Sequence, residues 1–304
     1  MLWLVQICAI LLIITLAPLL WGLAQTVKAR MQGRRGPAVW QMYWIIAKTW
    51  RKETTVPEHS SWVFRLTPSA SLAAIVVVTG VIPIAGRIPS NWPHDLLTAF
   101  FLLALERFWA GISGLDSAGT FGGLGASRVT TVGAGIEPAL FAVFGVLWYA
   151  SGHTAIAPAA EWLGTTSGGT LPEVLAAASF GLVLLAELGR LPVDNPDTHL
   201  ELTMIHEATV LEYNGRLLAL SQVAMALKFT ALMVLGWVLF GPYLSSVWAN
   251  LGLRVLELVV TSVALGWMES RFTKLRYFQL PTYLSLAAGM GMLAFYLVSG
   301  GPNL

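Results

Sequence analysis

Apolar residues in this chain fall in repeated runs of about 20, the length of helix that crosses a hydrocarbon core. Eight such runs are read, near 2–24, 67–86, 94–112, 129–151, 171–190, 217–240, 253–270 and 281–299. They are uniformly apolar rather than striped, which excludes the amphipathic helices of a large soluble bundle. The 304 residues are therefore expected to form one all-α, polytopic transmembrane domain over 1–304 with about eight spans. The first run is read as a span and not as a cleavable signal peptide, because its basic residues follow the apolar stretch instead of preceding it.

Cations then orient the spans. Lys28, Arg30, Arg34, Arg35, Lys48, Arg51, Lys52 and Arg65 lie between the first and second runs, and Arg128, Arg190, Arg216, Arg271, Lys274 and Arg276 lie in later connections on the same side. The opposite side holds only Arg87 and Arg254. The positive-inside rule places connections 25–65, 113–128, 191–216 and 271–280 in the cytoplasm and both termini outside. Within the first connection, AVWQMYWIIAKTWRKE (38–53) combines three tryptophans with terminal cations and reads as an amphipathic helix lying in the lipid interface.

Only 11% of the residues are charged, yet 186–215 gathers Glu187, Arg190, Asp194, Asp197, His199, Glu201, His206, Glu207 and Glu212 at the end of a span. Titratable groups concentrated there point to a proton path or to a docking surface for a polar partner. Glu137, Lys228 and Glu257 fall inside apolar runs, where a central charge costs about 2.5–3.5 kcal/mol. Such groups either pair statically or carry protons. Glu106 and Arg107 are adjacent, so they point to different helix faces and need not pair with each other. Lone Cys8 excludes an intrachain disulfide and a cysteine-ligated iron–sulfur or zinc centre within the chain. HEATV (206–210) lacks the second histidine of a zinc-protease helix, and FGGLG (121–125) follows no strand. No nucleophile–base pair or phosphate loop is evident, so the chain is read as non-catalytic on its own.

Three blocks carry a resemblance. ARMQGRRGP (29–37) looks like the basic turn after a first helix, GLDSAGTFGGLGASR (114–128) with Glu137 and Pro138 looks like a loop and its following helix, and AELGRLPVD (186–194) with Glu201, Leu202 and 212–215 looks like an acidic loop. Together they resemble the membrane subunit shared by respiratory complex I (subunit 1) and the group 4 energy-converting nickel–iron hydrogenases, including formate hydrogenlyase, with the hydrogenase branch nearer. The resemblance implies about eight membrane helices that hold a soluble redox module and couple electron transfer to proton or sodium translocation, in the inner membrane of a prokaryote. By position it assigns Glu137, Glu187, Asp194, Asp197, Glu201 and Glu212 to a proton-access region, to which His199 and Lys228 are added from their own placement. Arg190, Asp116, Arg128, Arg34, Arg35, His206 and Glu207 are expected at the docking face.

The sequence departs from the family where Trp44 and Ile45 replace a frequent Arg-Asp pair, and where His199 replaces an acid. The resemblance implies no cofactor in this chain, with iron–sulfur and nickel–iron centres in partner subunits. The implied partners are hydrogenase-like small and large subunits or another soluble redox module, antiporter-like membrane subunits and membrane lipid, with no nucleic acid. One alternative is a quinone-binding subunit with quinone in a neighbouring pocket. A stand-alone secondary transporter is the other, and it would carry an internal repeat that is not seen here.

Overall fold

The computed structural model describes residues 2–86, 92–165, 170–194, 204–244 and 246–300. Among them the chain is helical throughout: α1 (Leu2–Met31), α2 (Gln41–Trp50), α3 (Trp62–Val81), α4 (Leu96–Asp116), α5 (Thr120–Ser151), α6 (Ile156–Thr165), α7 (Leu171–Glu187), α8 (His206–Val210), α9 (Gly215–Phe240), α10 (Val247–Arg271) and α11 (Leu280–Ser299), the last preceded by a 3-10 turn at Tyr277–Gln279. Seven of these, α1, α3, α4, α5, α9, α10 and α11 with its 3-10 turn, are long and apolar enough to cross a membrane. The remaining run, 171–190, forms the 17-residue α7. The chain is a polytopic membrane protein.

Helix α9 is apolar on all sides, as a helix surrounded by protein should be, and 72% of its apolar window is buried. It packs against α1, α2, α3, α7 and α10, while α4, α5 and α11 extend the bundle on the far side of α3 and α7. Small residues set the closest approaches, as is usual where helices meet in lipid. A Cβ on Gly266 of α10 would stand 2.4 Å from the Ala24 carbonyl oxygen of α1, so only glycine lets these two backbones meet. The surface helix α2 leaves Trp40, Trp44 and Trp50 exposed at its ends and outer face, as an interfacial helix would.

Polar ends are capped by distant carboxylates as well as local ones. Asp95 accepts from Thr98 N at the start of α4 (2.9 Å). Asp116, one of the expected docking residues, instead accepts from Ser61 N and Phe64 N at 2.9 and 3.0 Å and so fixes the first turn of α3.

Helices outrun their apolar runs. Helix α1 continues to Met31, and the stretch 113–128, read as a connection, is helical except for a short turn at 117–119. Its glycines are contacts and not loop residues: a Cβ on Gly122 would stand 2.5 Å from Gly114 O, and one on Gly125 would stand 2.7 Å from the Ala208 Cβ. Likewise α10 starts at Val247, so Arg254 is not in an outer connection. It lies 1% exposed inside the helix, bound to Glu257 at 2.6 Å.

Candidate functional site

The adjacent Glu106 and Arg107 of α4 do not pair with each other. Each turns to a different neighbour, and both meet again through Glu187, the last residue of α7. Glu187 Oε2 accepts from Arg107 Nη1 at 2.5 Å, and Glu187 Oε1 lies 2.8 Å from Lys228 Nζ on α9. Arg107 Nη2 donates to Glu137 Oε1 on α5 at 3.1 Å, and Lys228 Nζ donates to Glu106 Oε2 at 2.6 Å. Five charged groups from four helices thus form one chain, Glu106–Lys228–Glu187–Arg107–Glu137. Its centre is sealed, with the Glu187 side chain 1% exposed, but the Glu137 side chain is 46% exposed at the outer end. Breaking a buried pair by removing one partner costs about 3–5 kcal/mol, because the other charge is stranded. The row therefore ties four helices together whatever else it does.

A second tier lies where α7 ends. Gly189 takes φ +56, and a Cβ there would meet His206 Nδ1 at 2.7 Å, so the chain can leave α7 beside His206 only through glycine. Arg190 then turns inward. Its Nη1 donates to Glu269 Oε1 of α10 at 3.0 Å, and Glu269 Oε2 meets Lys28 Nζ at 3.2 Å. Its guanidinium also lies over the Trp21 ring at 3.9 Å and the Phe229 ring at 4.8 Å.

Asp194 accepts from Lys274 Nζ at 2.5 Å and from the Ile205 N–H at 3.2 Å. His206 Nδ1 stands 3.9 Å from the same carboxylate, beyond hydrogen-bond reach but close enough for charge to act. Burial pushes the Asp194 carboxyl up, but His206 and the Lys274 ammonium outweigh it and hold the group at about 2. Tyr213, just before α9, stacks on Phe64 with centroids 4.3 Å apart, donates to Phe64 O and pairs with the Ser113 hydroxyl. Burial pushes its phenol up to about 12, so it stays a neutral donor.

Between the tiers runs a cavity lined by Glu106, Glu187, Lys228, Asp194, His206, Glu207, Tyr213 and apolar neighbours from α1, α3, α4 and α9. It leaves about 90 Å³ for the centres of water-sized molecules. One water needs roughly 10–15 Å³ on that measure, so the space suits a short file of waters. The cavity joins the acidic-loop residues to the middle of the five-group chain. Among the described residues no cluster of histidine, cysteine and carboxylate side chains could hold a metal ion.

Of the expected path residues, Glu137, Glu187 and Lys228 fall in the five-group chain and Asp194 lines the cavity. Glu212 is exposed beside the Gly119 turn. Asp197, His199 and Glu201 lie outside the described residues. Of the expected docking residues, Arg34 and Arg35 are exposed, and His206, Glu207 and Arg128 are partly so. Arg190 is 1% exposed, which turns it from a surface contact into a pin between α7 and α10. Glu106, Arg107, Glu269, Lys28 and Tyr213 were not among the expected path or docking residues. For the first two the signal was there, since two charges in the middle of an apolar run need partners.

The family described as NADH dehydrogenase matches residues 4–298. Hydrogenase-4 component C of Escherichia coli (strain K12) is 34% identical over 251 residues, covering 82% of this chain and 79% of that protein. Formate hydrogenlyase subunit 4 of the same organism is 29% identical over 298 residues, covering 94% and 95%. A chain from the membrane-bound sulfane sulfur reductase, an archaeal respiratory membrane complex, superposes with a TM-score of 0.84 over 98% of this chain and 99% of that one. At 18% identity that likeness is one of fold.

Proposed function

Because this chain belongs to the NADH dehydrogenase family, the family of complex I subunit 1, we propose that it is the membrane subunit of a complex I-like assembly of the hydrogenase or formate hydrogenlyase type. In this reading it seats a cytoplasmic redox module and couples electron transfer there to ion movement in the membrane. Iron–sulfur and nickel–iron centres belong to hydrogenase-like partner subunits, and antiporter-like subunits continue the path in the membrane. The observation that carries the reading is the charge balance of the five-group chain. Two cations face three carboxylates, which leaves one negative charge in excess and room for one proton. The cavity offers that proton an entry from the acidic loop, and the half-exposed Glu137 offers an exit toward a neighbouring subunit.

The redox module would rest on Arg34, Arg35, His206, Glu207, Arg128 and the acidic loop, on the face that the positive-inside rule turns to the cytoplasm. Arg190 and Asp116 support that face from beneath. A quinone reading needs more room than the cavity at the acidic loop provides, about 90 Å³, since small-molecule pockets usually reach roughly 300 Å³ or more. Quinone would therefore need walls from a partner subunit.

Glu137→Gln tests the coupling. The exposed end of the chain loses a charge that solvent or a neighbour already screens, so assembly should persist. Ion translocation per electron, measured in inverted membrane vesicles of the intact complex, should fall severalfold. Wild-type translocation in this variant would leave the chain a structural tie only.

A further inference from the structure

The titratable groups at the acidic-loop end of the cavity differ in whether they can deliver a proton to the five-group chain. Asp194 and Tyr213 both line the cavity, but each is fixed in one state: the carboxyl at about 2 stays ionised, and the phenol at about 12 stays neutral. His206 lines the same space. Its Nδ1 is buried without a hydrogen-bond partner, yet the side chain is 24% exposed, so the exposure lies on the rest of the ring. Such a ring is sealed at one nitrogen and open elsewhere. Given the coupling role proposed above, we propose that His206 is the proton carrier at the cavity mouth, taking protons from the aqueous side and passing them to the waters that lead to Glu187.

The surrounding structure holds the ring in place for that task. Asp194 Oδ2 accepts from the Ile205 and His206 N–H groups at 3.2 and 3.4 Å, and Thr209 Oγ1 donates to His206 O at 2.8 Å. Gly189, which would bring a Cβ within 2.7 Å of Nδ1 if it had one, keeps that nitrogen clear. Gly189 and Glu187 line the cavity two residues apart. A neutral ring with its proton on Nδ1 takes a second proton on Nε2 from water at the open side. The imidazolium then releases the Nδ1 proton to a cavity water, which leaves a neutral ring and one proton moved inward. Turning the ring restores the first state. Imidazole suits the step because it ordinarily gains and loses its charge near neutral pH. The Asp194 carboxylate 3.9 Å from Nδ1 and Glu207 on the next residue favour the imidazolium, whereas Lys274, 2.5 Å from Asp194, opposes it. From α5, Arg128 reaches the same region and donates to Met204 O at 2.7 Å. Across the cavity stand Glu106, Glu187 and Lys228. The lysine repels a charged ring, so the charge passes inward as a proton on water. A redox module seated here does not close the route, since polar interfaces hold ordered water.

The test uses inverted membrane vesicles of the intact complex, which turn the acidic loop to the outer medium. His206→Gln keeps a polar side chain but cannot carry a proton. Ion translocation should slow by about a hundredfold, the lower end of what a positioned proton-transfer group contributes. The wild-type pH profile should show a limb near neutral pH that this variant lacks. In His206→Ala, imidazole added to the medium should restore much of the rate, and it should restore nothing in Glu137→Gln. A residue needed only for folding or docking would not respond to a small base. Wild-type rates and the wild-type limb in His206→Gln would overturn the proposal. So would an alanine variant that keeps its redox module and gains nothing from imidazole, or loss of the module from both variants on co-purification, which would assign His206 to docking. If Glu137→Gln loses coupling while both His206 variants match wild type, the entry assignment fails and the coupling role stands. If Glu137→Gln is unaffected too, the coupling role fails with it.

Discussion

The Arg254–Glu257 pair and the chain from Glu106 to Glu137 both bury charge between membrane helices, yet one is closed and the other open. Arg254 and Glu257 sit on a single helix, one cation to one acid, at 2.6 Å. The guanidinium also donates to Trp237 O at 2.7 Å and Pro242 O at 2.9 Å, while its Nε and Glu257 Oε1 are buried without a hydrogen-bond partner. No net charge is left over, and the pair lies about 22 Å along α10 from the Glu269 that serves the acidic loop. The other cluster draws on four helices, carries one carboxylate too many, touches a cavity and ends at a half-exposed acid. In the proposed reading, imbalance and connection, and not burial of charge, mark the path.

The sharpest way to break that contrast is Lys228→Met. Lys228 binds Glu106 at 2.6 Å and Glu187 at 2.8 Å, so the variant leaves two carboxylates facing each other with a single arginine. Stability in detergent should fall by about 3–5 kcal/mol, and vesicles of any complex that assembles should lose ion translocation. Thermal unfolding and translocation assays read the two effects separately. Unchanged translocation would remove the cluster from the path.

Asp194 gives a smaller, pH-dependent effect. Its carboxyl stands at about 2 in the folded protein against an ordinary 3.8. A depressed folded value contributes stability that is fully present above the unfolded value, near pH 4, and lost as pH falls through about 2. The difference corresponds to about 2 kcal/mol at neutral pH. Asp194→Asn should lose that amount and flatten the acid limb of an unfolding-against-pH profile, because Lys274 then has an amide where it had a charge. A wild-type acid limb in the variant would mean that Lys274 finds another partner.

How much of this could be read from the chain alone differs between the fold and the site. The apolar runs marked the membrane helices because hydrocarbon admits little else. The ends of those helices were less legible, since apolarity stops where a helix leaves the lipid while hydrogen bonding continues to the next cap, as at Met31 and Thr120. Lys228 stood out as a charge inside an apolar run and Glu187 as a member of the acidic cluster at the end of one. Their partners did not, because Arg107–Glu187 and Lys228–Glu106 join residues 80 and 122 apart, and no local spacing encodes that. Arg190 and Glu269 misled in opposite ways. Both lie at span ends where charge usually meets water, and each is buried because the other is there to receive it.

The smallest effect is expected at the closed pair, and it completes the comparison. Replacing both members with apolar residues of similar length, Arg254→Met with Glu257→Leu, removes two buried charges together, so neither is stranded. Such double replacements are often neutral or stabilising, since the desolvation cost disappears with the attraction. Two carbonyls lose a donor, but Trp237 O also accepts from Gly241 N at 2.8 Å, which leaves Pro242 O as the main loss. One lost hydrogen bond of about 1 kcal/mol should nearly offset the gain from desolvation. Stability should therefore stay within about 1 kcal/mol of wild type, with ion translocation unchanged. The single change Arg254→Met, which strands Glu257, should cost about 3 kcal/mol or more in the same assay. If the double variant instead stopped translocation while remaining folded, this pair too would belong to the path, and charge balance would no longer separate a tie from a conductor.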